Sequence, residues 1–423
     1  MVHAQDCARG RSRDAMSEPL IVIGNGMAAV RLVEALSIRA LGRYAVCVIG
    51  DEPRLAYNRV LLSALLADEI GVSDIELKPA RWWRDRGVTL RYGVRATQID
   101  PVARTVRLED GARLSFSKLV FATGSQPIKL AIPGMDLPGV LTFRDIDDVN
   151  KIAAKSGTRV VVIGGGLLGL EAAYGLTKAR AGARGAQVTV VHLMDRLMER
   201  QLDARAASML KRAVEARGIA VRLQAETVRI RGKDHVEAVE LRDGSTIEAD
   251  AVVVAVGIKP NIELARTAGL TANRGIVVDD QLATSNADIH AIGECAEHRG
   301  LCYGLVEPAH EQAQALARRL AGENVSYDGS LLTTNLKVSG IQVFSAGDFL
   351  GVTSGAQAIM LSDPGVGVYK KLVIADDRLV GTVLFGDTAD GPWYLELMRL
   401  RSSVEHLRDH LMFGRELAAR AAA

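Results

Sequence analysis

One stretch of the sequence, RVVVIGGGLLGLEA at residues 159–172, restricts the possible folds more than any other. Its apolar, β-branched beginning predicts a buried strand, and helix-forming residues follow the glycines at 164, 166 and 169. Glycine at these points permits a tight turn, close approach of the backbone to a pyrophosphate, and close packing of helix on strand. The helix N-terminus then offers free N–H groups and its positive dipole end to phosphates. The stretch therefore predicts a strand–turn–helix unit that binds a dinucleotide.

The same device occurs near the start of the chain, where residues 20–29 read LIVIGNGMAA. Two dinucleotide sites in one chain imply two cofactors, and the simplest pair is a flavin and a nicotinamide. A second strand is predicted at 44–49, and Asp51 and Glu52 follow it, where an acidic residue should meet the adenosine ribose. The sequence does not decide which of the two acids does so. Arg59 is expected either to hold a phosphate or to close an ion pair.

Composition narrows the class of protein. With 423 residues, 48% of them hydrophobic, and 41 glycines, the chain suits two or three α/β domains with many tight turns. The net charge of +2 gives no reason to expect nucleic acid or an anionic membrane as a partner. No apolar run reaches the roughly 20 residues needed to span a bilayer.

The cysteines and the N-terminal residues bear on the cellular compartment in which the protein is expected. Four cysteines, at positions 7, 47, 295 and 302, make no disulfide framework, so a reducing, cytoplasmic compartment is expected. Residues 1–18 are polar and Arg-rich and lack an apolar signal core. They are expected to be a disordered extension, with Met16 as an alternative start.

Breaks in the pattern divide the chain. The buried strand LVFATGS at 119–125 is followed by repeated Pro and Gly, and the strand ADAVVVAV at 249–256 ends at Gly257. Further helices are predicted at 308–320 and from 394 to about 411. The expected fold is α/β, with two Rossmann-like dinucleotide-binding domains and a C-terminal mixed α/β domain. The expected segments are an extension (1–18), a first dinucleotide-binding domain in two parts (19–140 and 255–324), a second dinucleotide-binding domain (141–254) and the C-terminal domain (325–423).

These pieces resemble the FAD- and NAD(P)H-dependent pyridine nucleotide reductases, which have two dinucleotide folds. The resemblance implies that the first fingerprint holds the FAD pyrophosphate and the second holds NAD(P)H. It also implies that Glu294, in place of the usual Asp, contacts the flavin ribityl chain, and that the helix from Pro308 faces the flavin pyrimidine. The residues expected to contact the cofactors are Gly24, Asn25, Gly26, Met27, Ala29, Asp51, Glu52, Arg59, Ala122, Thr123, Gly124, Gly164, Gly166, Leu167, Gly169, His192, Arg196, Gly257, Gly293, Glu294 and Pro308.

A closer resemblance lies within that family. The motifs GNGMAAVR, YNRVLLS, LMERQLD and YGLVEPAHEQA are similar to those of the N-terminal flavin modules of assimilatory NAD(P)H nitrite reductases. Those enzymes continue into an iron–sulfur and sirohaem half that is rich in cysteine. Since no cysteines cluster here, the resemblance implies the reductase module without sirohaem chemistry.

Hydride transfer requires the nicotinamide C4 to lie against the flavin N5, and the protein supplies position and electrostatics. In the family, the glutamate that matches Glu171 points at the nicotinamide carboxamide; the alternative is an exposed acid in the first turn of the helix. Glu307 is expected to line the same pocket. His192 stands where an acid would select NADH. His192 and Arg196 are compatible with a 2′-phosphate, so the choice between NADH and NADPH stays open.

Members of the family differ in the acceptor to which the flavin passes its electrons. Disulfide reductases carry a C-x-x-C or C-x₄-C pair, whereas Cys295 and Cys302 fit neither spacing. Electrons are therefore expected to pass to a separate partner: a ferredoxin, a haemoprotein or a nitrate or nitrite reductase component. The alternatives are a ferredoxin or rubredoxin reductase of another pathway and a flavin-fold redox-signalling protein. A peroxidase or oxidase would want a cysteine in the helix after the first fingerprint, which has none. The sequence does not decide between monomer and homodimer.

Overall fold

The computed structural model describes residues 17–178, 185–338 and 341–421. Most of the extension predicted at 1–18 lies outside these residues, and Glu18 already belongs to the first strand. Within the described part of the chain, no helix has the length and apolar character that a membrane crossing requires.

Helices and strands alternate around the two fingerprints, whereas strands follow one another in runs over much of the rest of the described chain. The helices are α1 (Met27–Arg39), α2 (Leu62–Leu66), α3 (Ala80–Asp85), α4 (Ile146–Ala153), α5 (Leu167–Thr177), α6 (Ala204–Glu215), α7 (Glu263–Thr267), α8 (Val306–Leu320), α9 (Gly391–Leu400) and α10 (Arg415–Ala421). The strands are β1 (Glu18–Ile23), β2 (Tyr44–Gly50), β3 (Thr89–Tyr92), β4 (Ala96–Asp100), β5 (Thr105–Leu108), β6 (Arg113–Ser115), β7 (Lys118–Phe121), β8 (Ser125–Pro127), β9 (Val140–Thr142), β10 (Arg159–Ile163), β11 (Gln187–Val191), β12 (Ala220–Arg222), β13 (Thr227–Arg231), β14 (Ala238–Leu241), β15 (Thr246–Glu248), β16 (Ala251–Val254), β17 (Ile258–Pro260), β18 (Ile276–Val278), β19 (Ile289–Ala291), β20 (Ala296–His298), β21 (Thr333–Val338), β22 (Ile341–Gly347), β23 (Gln357–Asp363), β24 (Val368–Ala375) and β25 (Arg378–Phe385).

The first compact unit comprises residues up to 59, 72–126 and 258–330. Its main sheet has the strand order β19-β7-β1-β2-β3, and all of its neighbouring strands are parallel. The central strand β1 is buried over its last four residues, as expected for a strand covered on both faces. Helices α1 and α8 pack together in this unit. Because parallel strands end at one edge, the first fingerprint lies at the carboxyl edge of this sheet.

The second compact unit comprises residues 60–71, 127–257 and the chain from 331 onward. It contains a parallel sheet of order β12-β11-β10-β16-β9, in which β10 carries the second fingerprint at its end. A second, antiparallel sheet has the order β21-β22-β25-β24-β23. The two Rossmann-like sheets and the C-terminal mixed α/β region agree with the predicted fold class. The segment boundaries drawn from the sequence remain a prediction.

Two helix boundaries differ from the prediction. Helix α8 begins at Val306 rather than at Pro308, so the proline lies within its first turn, where a missing N–H costs nothing. The C-terminal helix predicted to reach 411 ends at Leu400, because Arg401 takes a left-handed conformation (φ 49°). The Tyr394 hydroxyl donates to the Leu411 carbonyl (2.8 Å), which fixes the chain as it folds back.

One carboxylate links helix α6 to the antiparallel C-terminal sheet of the second unit. Asp203 caps α6 by accepting the Ala206 N–H (2.9 Å). The same side chain accepts the Tyr369 hydroxyl of β24 (2.6 Å) and lies 3.7 Å from the Lys371 ammonium. Tyr369 and Lys371 are only 2% and 8% exposed. Burial, with Asp203 nearby, raises the pKa of Tyr369. Asp203 therefore serves as helix cap, acceptor and counterion together.

Candidate dinucleotide sites

The turn of the first fingerprint, at Gly24 to Gly26, forms a cradle for a pyrophosphate. A side chain does not fit at Gly24, whereas there is space for one at Gly26. The Gly24 backbone has a φ of 114°, and a Cβ there would lie 2.0 Å from the Ala122 carbonyl oxygen. At Gly26, by contrast, a Cβ would meet nothing within 4 Å. Gly26 is the N-cap of α1 and offers no side-chain hydrogen bond to the helix end. The first-turn N–H groups of α1 therefore face open space, as an arriving pyrophosphate requires.

A buried acceptor next to this turn also fits a ligand. The Asn25 amide nitrogen donates to the Arg54 carbonyl (3.2 Å), but its Oδ1 is buried and has no hydrogen-bond partner among the described residues. A buried polar atom without a partner costs free energy, so such atoms often mark the place of a bound group. Met27 and Ala29 lie in the first turn of α1.

Of the two acids that follow β2, Glu52 has its side chain held by neighbouring residues. Its carboxylate accepts the Tyr57 hydroxyl (2.7 Å) and forms an ion pair with Arg59. Asp51 is more exposed and lies 3.5 Å from Arg95. Arg59 forms an ion pair that fixes the Glu52 carboxylate near the strand end, and its role in holding a phosphate remains a prediction.

Glu294 is also held in the first unit, at the turn that follows β19. The Ser125 hydroxyl donates to its carboxylate (2.8 Å). The preceding Gly293 has a φ of 79°, and its N–H donates to the Gln312 side chain of α8 (2.7 Å). Two loops and a helix therefore position this acid.

The loop after β7 is fixed by an amide that the sequence analysis did not single out. Asn261 donates from its side chain to the Thr123 carbonyl (2.8 Å), and its own carbonyl accepts the Thr123 hydroxyl (3.1 Å). Gly124 accepts the Asn261 N–H and has a φ of 62°. The sequence did offer a signal for this contact: Asn261 directly follows Pro260, the last residue of β17. Ala122 is buried beside this loop.

Glu307 and the start of α8 line an open cleft of about 380 Å³ within the first unit. Arg31, His310, Gln314 and Arg318 contribute to the same cleft. Burial lowers the pKa of His310.

The second fingerprint repeats the geometry of the first. A Cβ at Gly164 would lie 2.3 Å from the Ala255 carbonyl oxygen, and one at Gly169 would lie 1.9 Å from the Gly164 carbonyl oxygen. Gly166 again leaves open space, and it is the N-cap of α5 without a side-chain hydrogen bond. Leu167 begins the helix. Gly257, with a φ of 124°, follows β16 and accepts the Ile128 N–H.

Glu171 lies in the second turn of α5 and is the most perturbed acid of this unit. Burial removes water from its carboxylate and raises its pKa to about 8. A carboxylic acid that stays protonated near neutral pH donates a hydrogen bond, which suits a nearby amide oxygen.

We predict that Glu171→Gln makes the apoprotein increasingly more stable than wild type as the pH rises. A pKa raised from 4.5 to about 8 means that the folded state holds the proton more tightly than the unfolded state. The wild-type free energy of unfolding should therefore fall, relative to that of the variant, between pH 4.5 and 8, and the difference should reach about 3 kcal/mol at pH 7. Urea titrations of both proteins from pH 5 to 9 measure this difference. Glu215→Gln, at the half-exposed end of α6, is the matched control, and an equal pH dependence in all three proteins would contradict the prediction.

His192 and Arg196 both follow β11, but they differ in burial and in their hydrogen-bond partners. His192 is 9% exposed and hydrogen-bonded through both ring nitrogens, to Gly165 and to Glu199. The Arg196 guanidinium reaches the Asp195 carboxylate (3.0 Å).

The described cysteines form no disulfide. Cys295 is completely buried, its Sγ faces the Ile292 and Phe121 carbonyls, and burial raises its pKa. Burial and Glu297 raise the pKa of Cys302. Thiols with a raised pKa are poor nucleophiles, so neither suits exchange with a disulfide.

Two parallel sheets, each with a glycine cradle and an uncapped helix start at its carboxyl edge, define a protein with two dinucleotide-binding folds. A family model described as "Pyridine nucleotide-disulphide oxidoreductase" matches residues 18–315, and one described as "Rubredoxin NAD+ reductase C-terminal domain" matches residues 333–402. The chain belongs to the pyridine nucleotide-disulphide oxidoreductase family. It is therefore an NAD(P)H-dependent oxidoreductase with FAD as its flavin, as predicted.

Two curated proteins and one solved structure are similar to this chain over most of its length. A nitrite reductase [NAD(P)H] of Bacillus subtilis is 44% identical over 376 residues, which are 88% of this chain and 46% of the relative. The assimilatory nitrate reductase electron transfer subunit of the same organism is 42% identical over 374 residues, 88% of this chain and 48% of the relative. A solved ferredoxin reductase from Rhodopseudomonas palustris has a TM-score of 0.84 at 28% identity, covering 96% of this chain and all of that one. The chain thus spans about half the length of the first two relatives.

Proposed function

We propose that this chain takes electrons from NAD(P)H onto FAD and passes them to a separate redox protein of nitrate or nitrite assimilation. FAD held at the first cradle, by the turn at Gly24 and Gly26, would supply the chemistry of hydride acceptance and electron release. The protein's residues supply the two pyrophosphate cradles, the ordered acids Glu52 and Glu294, and the protonated Glu171 for the nicotinamide carboxamide. The names of the two Bacillus subtilis relatives support the pathway.

The state of the thiols is the observation that carries this proposal. A disulfide reductase needs a thiolate to relay electrons from flavin to substrate. Neither Cys295 nor Cys302 suits this role, because Cys295 is buried against carbonyls and the pKa of both thiols is raised. Electrons on the flavin must then leave directly to an external acceptor.

Removal of these thiols tests the relay directly. We expect the double variant Cys295→Ala, Cys302→Ser to reduce a redox-protein acceptor with NAD(P)H at a rate within about twofold of wild type. The rate of flavin reduction, recorded in the same preparations, shows whether the variant still folds and binds both cofactors. Loss of acceptor reduction with intact flavin reduction would mean that the thiols carry electrons, and the proposal would fail.

A second candidate is a reductase that serves a ferredoxin or rubredoxin in another pathway. The match to the rubredoxin reductase C-terminal domain and the similarity to a ferredoxin reductase favour it. Turnover rates with a ferredoxin, a rubredoxin and a nitrate or nitrite reductase component separate the two candidates.

A further inference from the structure

The histidine after β11 connects the second fingerprint to an acid further along the chain. The Gly165 N–H donates to His192 Nδ1 (3.0 Å), and His192 Nε2 lies 3.0 Å from Glu199 Oε2. Since Nδ1 accepts a hydrogen bond, it carries no proton, and Nε2–H is the donor to the carboxylate. A Cβ at Gly165 would lie 2.8 Å from the imidazole Cγ, so the ring packs tightly against the loop. These contacts fix the Glu199 carboxylate beside the end of β11.

The position of this carboxylate matters because an acid at the end of the second Rossmann strand binds the adenosine ribose hydroxyls of NADH. Here the strand-end position itself holds His192, and the histidine holds the Glu199 carboxylate next to that position. Among the described residues, Glu199 Oε1 makes a long contact of 3.8 Å to Arg200 Nε, and that arginine side chain is 85% exposed. This oxygen thus keeps its capacity to accept from a ribose hydroxyl.

The neighbouring charges disfavour an added phosphate. Arg196 is the cation closest in sequence to this strand end, and its Nη1 lies 3.0 and 3.2 Å from the two Asp195 carboxylate oxygens. A 2′-phosphate would meet the like charge of the Glu199 carboxylate, and the Nη1 of Arg196 is already paired with Asp195. Leu193 and Met194 are 59% and 44% exposed directly after His192, and they offer an apolar surface to an adenine ring.

We propose that Glu199 binds the adenosine ribose hydroxyls and makes this chain select NADH over NADPH, with His192 as its positioning residue. The proposal rests on the proposed function, because it assumes that the second fingerprint binds the nicotinamide nucleotide.

Calorimetric titration of the FAD-loaded protein with NAD⁺ and with NADP⁺ tests this proposal without any electron transfer. We expect wild type to bind NAD⁺ at least about 10-fold more tightly, and Glu199→Gln to reduce that ratio about 10-fold. His192→Asn should lower the ratio in the same direction, because it releases Glu199. Glu215→Gln, a matched change on α6, should leave the ratio unchanged, and melting temperatures confirm that each variant is folded.

Two results would overturn the proposal. One is an unchanged ratio in folded Glu199→Gln. The other is tighter binding of NADP⁺ by wild type that Arg196→Gln abolishes, since a cation would then read a 2′-phosphate. Either result would still leave the proposed function standing, which fails only if neither nucleotide binds or reduces the flavin.

Discussion

Gly26→Ala should remove FAD from a protein that remains folded. Gly26 has an extended backbone (φ −114°, ψ −168°), and an added Cβ would meet no protein atom within 4 Å. The apoprotein should therefore keep its melting temperature. The methyl group would instead occupy the space through which the pyrophosphate reaches the N–H groups of α1. We expect FAD affinity to fall at least about 100-fold, or about 2.7 kcal/mol, in a fluorescence titration of the apoprotein.

Gly166→Ala provides the reciprocal control. Its backbone (φ −83°, ψ −175°) and open surroundings match those of Gly26, but it begins α5. This variant should retain FAD and lose affinity for NAD⁺, whereas Gly26→Ala should retain NAD⁺ binding. If both variants lost the same cofactor, or if neither lost any, the assignment of one cofactor to each cradle would be wrong.

Asp203→Ala should be the most destabilising single change away from the cradles. It removes the cap of α6, the acceptor for the Tyr369 hydroxyl, and the counterion 3.7 Å from buried Lys371. Breaking a buried ion pair by removing one partner costs about 3–5 kcal/mol, because the other charge stays buried. Urea denaturation of the FAD-loaded protein should show a loss of this size, with flavin binding unchanged in the native state.

The double variant Asp203→Ala, Lys371→Met tests whether the loss of stability comes from the unpaired Lys371 ammonium. Since it also removes the uncompensated ammonium, it should recover about 1–3 kcal/mol of the lost free energy of unfolding. A double variant as unstable as the sum of the two single variants would show that the two residues do not interact.

The parts of the structure that follow local rules were predictable. Each fingerprint is a short local pattern of glycines and small residues after a β-branched run, so residues 20–29 and 159–172 identified both cradles. Strand β2 is found where the apolar run at 44–49 placed it, and it is one residue longer than predicted.

Contacts between distant residues were not predictable in the same way. Ser125 and Glu294 are 169 positions apart, and no pattern in the sequence pairs them. The hydrogen bond of His192 to Glu199 depends on the turn after β11 rather than on helical or strand periodicity. The predicted helix from 394 to 411 was too long because its charged residues have helical propensity beyond Leu400, while the fold-back fixed by Tyr394 overrides it.

The central claim is that electrons pass from NAD(P)H through FAD to a separate protein. Anaerobic double-mixing stopped-flow spectroscopy tests it most directly. The first mix combines FAD-loaded protein with NADH or NADPH, and the second adds an oxidised ferredoxin, rubredoxin or nitrate or nitrite reductase component. We predict that the flavin absorbance bleaches in the first mix and returns in the second as the acceptor is reduced. No bleaching with either nucleotide, or a reduced flavin that only a disulfide substrate reoxidises, would contradict the account.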